Sequence, residues 1–121
     1  MFDKALNRAS TDDVQAITRF VFLTTGDNTP STDPIWQRAE SDCLLLLISN
    51  EVTSRKVGRS FQHIYDLVKQ GPEAVEPIVT RLLPEWRAAG RDFQKGVLAG
   101  LAIRLQDVCL ADESLALRQN S

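Results

Sequence analysis

The segment Asp33–Glu51 constrains the fold of this chain most strongly. Asp33 followed by Pro34 is a typical helix start, because aspartate is a good N-cap and the missing N–H of proline costs nothing at the first helical position. Apolar residues then recur at helical spacing and merge into the unbroken apolar run Cys43–Ile48. A buried strand produces the same short run, but the polar residues leading into it and the combined length favour a helix. A helix that is apolar almost all round is usually covered on several sides, so we expect this one to be central.

Shorter helical patterns flank this segment, and no strand signal of comparable strength is present. The predicted helices run from the caps Ser10 and Thr11 to about Thr25, from the cap Ser60 to Gly71-Pro72, over Glu73–Leu83, from Pro84 to about Leu110 with a bend near Gly90, and over Asp112–Gln119. Pro77 fits either a first helical turn or a kink. The sequence therefore predicts an all-α, compact single-domain bundle of five to six helices around helix 33–51, with residues 1–9 and 112–121 peripheral.

The net charge of −2 is unevenly distributed along the 121 residues. Residues 1–53 carry four basic and eight acidic side chains, whereas residues 54–104 carry nine basic and five acidic ones. This distribution excludes a field that attracts nucleic acid over the whole surface, but it allows a local basic patch in the middle of the chain. No apolar stretch approaches the roughly 20 residues of a membrane span and no signal peptide is visible, so we expect a soluble cytoplasmic domain.

Residues with catalytic or metal-binding chemistry are scarce. His63 has no cysteine or histidine at ligand spacing, and Cys43 and Cys109 are too far apart in apolar helical contexts to suggest a zinc site or a redox pair. Phosphate-binding glycine motifs are absent, and Glu73 and Glu76 are most simply solvated charges on one helix face. We expect no enzymatic activity in this domain, no metal and no cofactor.

The last long helix carries one apolar stripe at helical spacing, formed by Trp86, Phe93, Val97, Leu101 and Val108. Gly96 and Gly100 lie beside it and allow another helix to approach closely. Arg104 projects from the same stripe, where a charge has to be paired or reach the edge of the core. We predict a structural ion pair between Arg104 and Asp42, with Glu40 as the alternative partner.

Two sets of basic residues are candidates for binding phosphates or an acidic partner. The first set, Arg87, Arg91 and Lys95, is spaced four residues apart on the face away from the apolar stripe. The second set is Arg55, Lys56 and Arg59, in a connector that contains a glycine. Together they suggest one basic surface, although charges on an outer helix face are commonly just solvated.

Two stretches resemble conjugative coupling proteins, the TraG-like ATPases of type IV secretion systems. The first is Trp36-x-x-Ala39 leading into Cys43–Ile48 after Asp33-Pro34, and the second is Phe93–Leu105, with its Gly-Val-Leu and Leu-Ala-x-Arg-Leu pattern. A helix over Phe61–Val68 followed by Gly71-Pro72 falls between them in the expected order. The resemblance covers about residues 11–110, and its motifs are mostly packing patterns.

The resemblance implies an all-alpha domain inserted in a RecA-like motor, with both Walker motifs outside it. The parent would be a hexameric, membrane-anchored, DNA-pumping ATPase, and this chain an excised domain that helps to select DNA, the relaxase bound to it, or accessory relaxosome proteins. A protein-only adaptor-docking domain and an independent small helical DNA-binding or regulatory protein are the alternatives. In the first, acidic residues of 1–53 or 105–121 would carry recognition.

Overall fold

The architecture comes from a computed structural model that describes residues 1–25, 34–79 and 84–119, without the side chains of residues 34–37 and 115–119. The described residues form seven α-helices and no strand, which confirms the all-α prediction. The helices are α1 (Phe2–Arg8), α2 (Val14–Thr25), α3 (Pro34–Ser54), α4 (Phe61–Lys69), α5 (Pro72–Val79), α6 (Glu85–Ala88) and α7 (Arg91–Gln119), with a 3₁₀ turn at Thr11–Asp13 before α2.

Helix α3 is the centre of the bundle, as its apolar run predicts. It packs against α2, α4, α5 and α7, and Cys43, Leu44, Leu47 and Ile48 are at most 1% exposed. Burial on several sides is what a helix without a polar face requires. The helix ends at Ser54, three residues beyond the predicted end at Glu51.

The prediction that residues 1–9 are peripheral is wrong. They form α1, whose Phe2 and Leu6 are 3% and 0% exposed and belong to the core. The Phe2 ring packs edge-on against Phe61 at 6.1 Å between centroids. Asp112 of α7 accepts hydrogen bonds of 2.8 Å from the backbone N–H groups of Phe2 and Asp3, so the predicted C-terminal periphery also contributes a fixed contact. The helical signal in residues 1–9 consists of one apolar i, i+4 pair, too short to separate from chance.

Local capping explains several of the helix boundaries. Ser60 caps α4 by accepting a hydrogen bond of 3.0 Å from the N–H of Gln62, as predicted. Gly71 ends the following turn with a φ of 102°, a conformation that strongly favours glycine. Pro77 lies inside α5. The predicted loop at 26–32 and the predicted end of the next helix at Leu83 lie outside the described residues.

The predicted bend near Gly90 is a complete break between two helices. Gly90 has a φ of 90°, and the N–H of Ala89 closes the last turn of α6 by donating to the carbonyl of Glu85 at 2.9 Å. Helix α7 then starts at Arg91 and continues without interruption to Gln119, so the separate helix predicted at 112–119 is part of it. Among the described helices, none combines the length and apolar character needed to cross a membrane.

Candidate functional site

A groove lies where α3, α6 and the start of α7 meet. Its volume is about 510 Å³, and its lining is largely apolar, formed by Ala39, Trp86, Ala89 and Phe93 together with the charged residues Arg38, Asp42 and Glu85. The break at Gly90 places Trp86 and Phe93 on two separate helices, and both line the groove together with Ala39 of α3. Ala39 and Ala89 leave space between the two aromatic residues.

Trp86, which lines this groove, has a buried hydrogen-bond donor without an acceptor among the described residues. Its side chain is 4% exposed, and its Nε1 is buried without a hydrogen-bond partner in the described part of the chain. Buried indole N–H groups usually have an acceptor, and leaving one without costs about 1–3 kcal/mol. Trp86 therefore lines the groove with other atoms of its side chain, because its Nε1 is buried below the surface.

The predicted basic residues Arg87 and Arg91 lie next to carboxylates of α5. Arg87 Nε is 2.6 Å from Glu76 Oε1, and Arg91 forms an ion pair with Glu73. Both pairs are solvent-exposed, so each contributes little to stability, but each carboxylate cancels the field of its partner. Glu73 and Glu76, expected to be solvated charges, therefore have a defined electrostatic role.

Counted together, the described side chains of this region do not form a basic surface. Arg87, Arg91 and Lys95 carry three positive charges within α6 and the first turns of α7. Four carboxylates belong to the same part of the chain: Glu73, Glu76, Glu85 and Asp92. The local balance is −1, which disfavours phosphate binding.

The second predicted set, Arg55, Lys56 and Arg59, is equally heterogeneous. Arg59 donates from Nη1 to the carbonyls of Leu6 at 3.1 Å and Ala9 at 2.7 Å, and from Nη2 to the carbonyl of Val52 at 2.9 Å. Its guanidinium thus closes the C-terminal ends of α1 and α3, where a positive charge is favourable. Arg55 Nε lies 3.5 Å from Glu51 Oε1, whereas Lys56 is exposed. Arg59 therefore has a structural role.

The two basic sets lie at opposite ends of the bundle. Arg91 opens α7, and Asp112, 21 residues further along the same helix, contacts the start of α1. Asp3 of α1 in turn accepts a hydrogen bond from the N–H of Phe61, two residues after Arg59. At about 1.5 Å per residue, roughly 30 Å of helix separates the two sets. The fold does not bring them together on one basic surface.

Arg104 is buried in an ion pair, but its partner is Glu40 and not the predicted Asp42. Arg104 is 2% exposed, its Nη2 is 3.7 Å from Glu40 Oε2, and its Nη1 donates to Thr25 Oγ1 at 3.2 Å. The guanidinium also lies 4.3 Å above the Phe22 ring. Asp42 instead lies 3.9 Å from the exposed Arg38. The reason is helical geometry, because Glu40 shares the buried face of α3 with Leu44 and Leu47.

Gly100 makes room for the Glu40 carboxylate. A Cβ at position 100 would lie 1.7 Å from Glu40 Oε1 and 2.9 Å from its Cδ. The small residue predicted to let a neighbouring helix approach α7 thus leaves space, at position 100, for the charged side chain of Glu40 on α3. Burial raises the pKa of Glu40 above its ordinary value, while the charge and hydrogen bond of Arg104 act in the opposite direction.

The remaining titratable candidates occupy structural positions. His63 is half-exposed, with Nδ1 2.8 Å from Oε2 of the buried Glu51. Burial raises the pKa of the Cys43 thiol to about 12 and that of the Cys109 thiol to about 11, which keeps both protonated near neutral pH. Among the described residues, no group of three or more histidine, cysteine or carboxylate side chains is arranged to hold a metal ion.

The sequence predicts only helix packing for Trp86 and Phe93, and it does not predict the groove. One signal was available: Ala88-Ala89-Gly90 follows Trp86 directly, so small residues and a helix breaker adjoin a large aromatic side chain. No protein-family model, curated protein or solved structure matches the chain.

Proposed function

We propose that this chain is a docking domain that recognises a protein partner through the groove between α3, α6 and α7. The observation that carries the proposal is the groove itself, with a largely apolar lining that includes Trp86 and Phe93 and with charged residues beside it. Protein-recognition sites commonly combine an apolar, aromatic-rich centre with a charged rim. The arrangement of the charges supports a protein partner more than DNA, because Arg87, Arg91 and Arg55 lie beside carboxylates and Arg59 binds backbone carbonyls.

The resemblance to the all-alpha domain of TraG-like coupling proteins suggests which partner this is. In that setting the domain would lie on the cytoplasmic side of a membrane-anchored motor, have no catalytic activity of its own, and dock the relaxase or an accessory relaxosome protein for conjugative transfer. DNA would then arrive bound to the relaxase and would not be held by the basic residues of this domain.

The experiment is a binding titration of the purified domain with three partners: the relaxase of the same transfer system, the relaxase–DNA complex, and DNA alone. Each titration is repeated at about 50 and about 200 mM salt, since each phosphate contact adds close to one unit to the slope of log affinity against log salt. We expect binding to the relaxase with a weak salt dependence and no comparable binding to DNA alone. Tight DNA binding that falls steeply with salt, and weakens in an Arg87→Ala, Arg91→Ala variant of unchanged melting temperature, would overturn the proposal.

A further inference from the structure

The groove also indicates the chemistry of its occupant. Resting on the proposed function, we infer that it accepts a peptide segment of the partner in which a bulky apolar residue lies next to a lysine or arginine. Two features of the described residues carry this inference: the apolar lining of the groove and the sign of the charge around it.

The apolar lining fits a side chain of medium or large size. Ala39 and Ala89 leave the space open, and Trp86 and Phe93 form aromatic walls on two different helices. An aliphatic or aromatic side chain inserted here removes apolar surface from water on both sides of the contact. A small polar ligand would leave these walls without a complementary surface.

The indole of Trp86 provides the readout for an occupant of the groove. Trp86 lines the groove, and its Nε1 is buried without an acceptor among the described residues. An occupant in contact with Trp86 changes the surroundings of this N–H group and therefore shifts its resonance.

The charge of the rim favours a basic neighbour. Glu85 lines the groove and forms no ion pair with the described residues, and the contact of Asp42 with Arg38 is a long one, at 3.9 Å between exposed groups. Arg38, which lines the groove, lies beside Asp42, and the arginines that follow Trp86, Arg87 and Arg91, lie beside Glu76 and Glu73. A lysine or arginine of the occupant would therefore meet an uncompensated carboxylate at Glu85.

The test uses two matched probes, the peptides Ac-Gly-Lys-Leu-Phe-Lys-Gly-NH₂ and Ac-Gly-Glu-Leu-Phe-Glu-Gly-NH₂, titrated into the ¹⁵N-labelled domain at low salt. The readout is the Trp86 indole N–H resonance, identified by its loss in Trp86→Phe. We expect a saturable shift with the lysine peptide and at least about fivefold weaker binding of the glutamate peptide, the range that rim ion pairs provide. Glu85→Lys should reduce this preference at least threefold, whereas Glu113→Lys, the same change near the far end of α7, should leave it intact.

The inference is overturned if the lysine peptide does not shift the indole resonance, if both peptides bind equally, or if Glu113→Lys acts like Glu85→Lys. Its failure is distinguishable from failure of the proposed function. If the relaxase binds and the peptides show no preference, only the occupant chemistry is wrong. If no protein partner binds, the docking function fails, and the peptide titration still decides what the groove prefers.

Discussion

Replacing Gly100 with alanine should destabilise the domain, although alanine is the better helix former. The new Cβ would lie 1.7 Å from Glu40 Oε1, so the carboxylate must move by about 1.7 Å to reach an ordinary contact near 3.4 Å. That movement disrupts the contact between Glu40 and Arg104, whose side chain is 2% exposed. Removing one member of a buried ion pair costs about 3–5 kcal/mol.

The net effect is smaller, because Gly100→Ala gains about 1 kcal/mol of helix propensity and the displaced carboxylate retains part of its attraction to Arg104. We expect a loss of about 2 kcal/mol in the free energy of unfolding, or about 8 °C in melting temperature for a domain of this size. Urea unfolding followed by circular dichroism measures both the free energy of unfolding and its dependence on urea concentration, the m-value.

The control is the same substitution in a Glu40→Ala background, where no carboxylate occupies the space beside position 100. There, Gly100→Ala should stabilise the domain by about 0.5–1 kcal/mol, so the effect changes sign. If Gly100→Ala stabilises both backgrounds equally, the steric role of Gly100 is refuted.

Three further predictions follow from the described contacts. Arg59→Ala should lower the free energy of unfolding by about 2–4 kcal/mol, because it leaves carbonyls of α1 and α3 without their charged donor. The control Lys56→Ala should change this free energy by less than about 0.5 kcal/mol, and equal melting temperatures of the two variants would contradict the structural role of Arg59. Since the pKa of Glu40 is raised in the folded state, its contribution to stability is fully present below the ordinary value of 4.5 and is lost as pH rises through the folded pKa. The free energy of unfolding of the wild type relative to Glu40→Gln should therefore fall as the pH rises from about 4 to about 7, and a rise would refute this prediction. Cys43 is fully buried with a pKa of about 12, so it should react with a thiol reagent at pH 8 only as the domain unfolds. Mass spectrometry should show that it is modified later than Cys109, and equal modification rates of the two thiols would contradict its burial.

The sequence predicts the centre of this fold well, because the apolar run of α3 and the apolar stripe of α7 are local, periodic signals. Helical spacing also predicts the partner of Arg104. Glu40 lies four and seven residues before Leu44 and Leu47 on the buried face, whereas Asp42 lies on a half-exposed one. This periodicity favours Glu40, the alternative partner, over Asp42.

Other features depend on tertiary contacts that spacing does not encode. The row of Arg87 and Arg91 resembled a basic face because nothing in the local sequence places Glu73 and Glu76, from the preceding helix, beside it. The groove likewise brings residues of α3 together with residues of α6 and α7, and Arg59 binds carbonyls of α1, which lies about 50 residues before it. Such contacts become visible only when the helices are packed.

The measurement that tests the docking function most directly compares two neighbouring alanines of α6 and its C-cap. Ala89 lines the groove, whereas the exposed Ala88 does not, so Ala89→Gln narrows the groove and Ala88→Gln is the matched control. Calorimetric titration with the relaxase should give the same affinity for the wild type and Ala88→Gln. Ala89→Gln should bind at least about tenfold more weakly, a difference of about 1.4 kcal/mol. Equal affinities for all three proteins, with unchanged folding, would contradict the groove as the docking site.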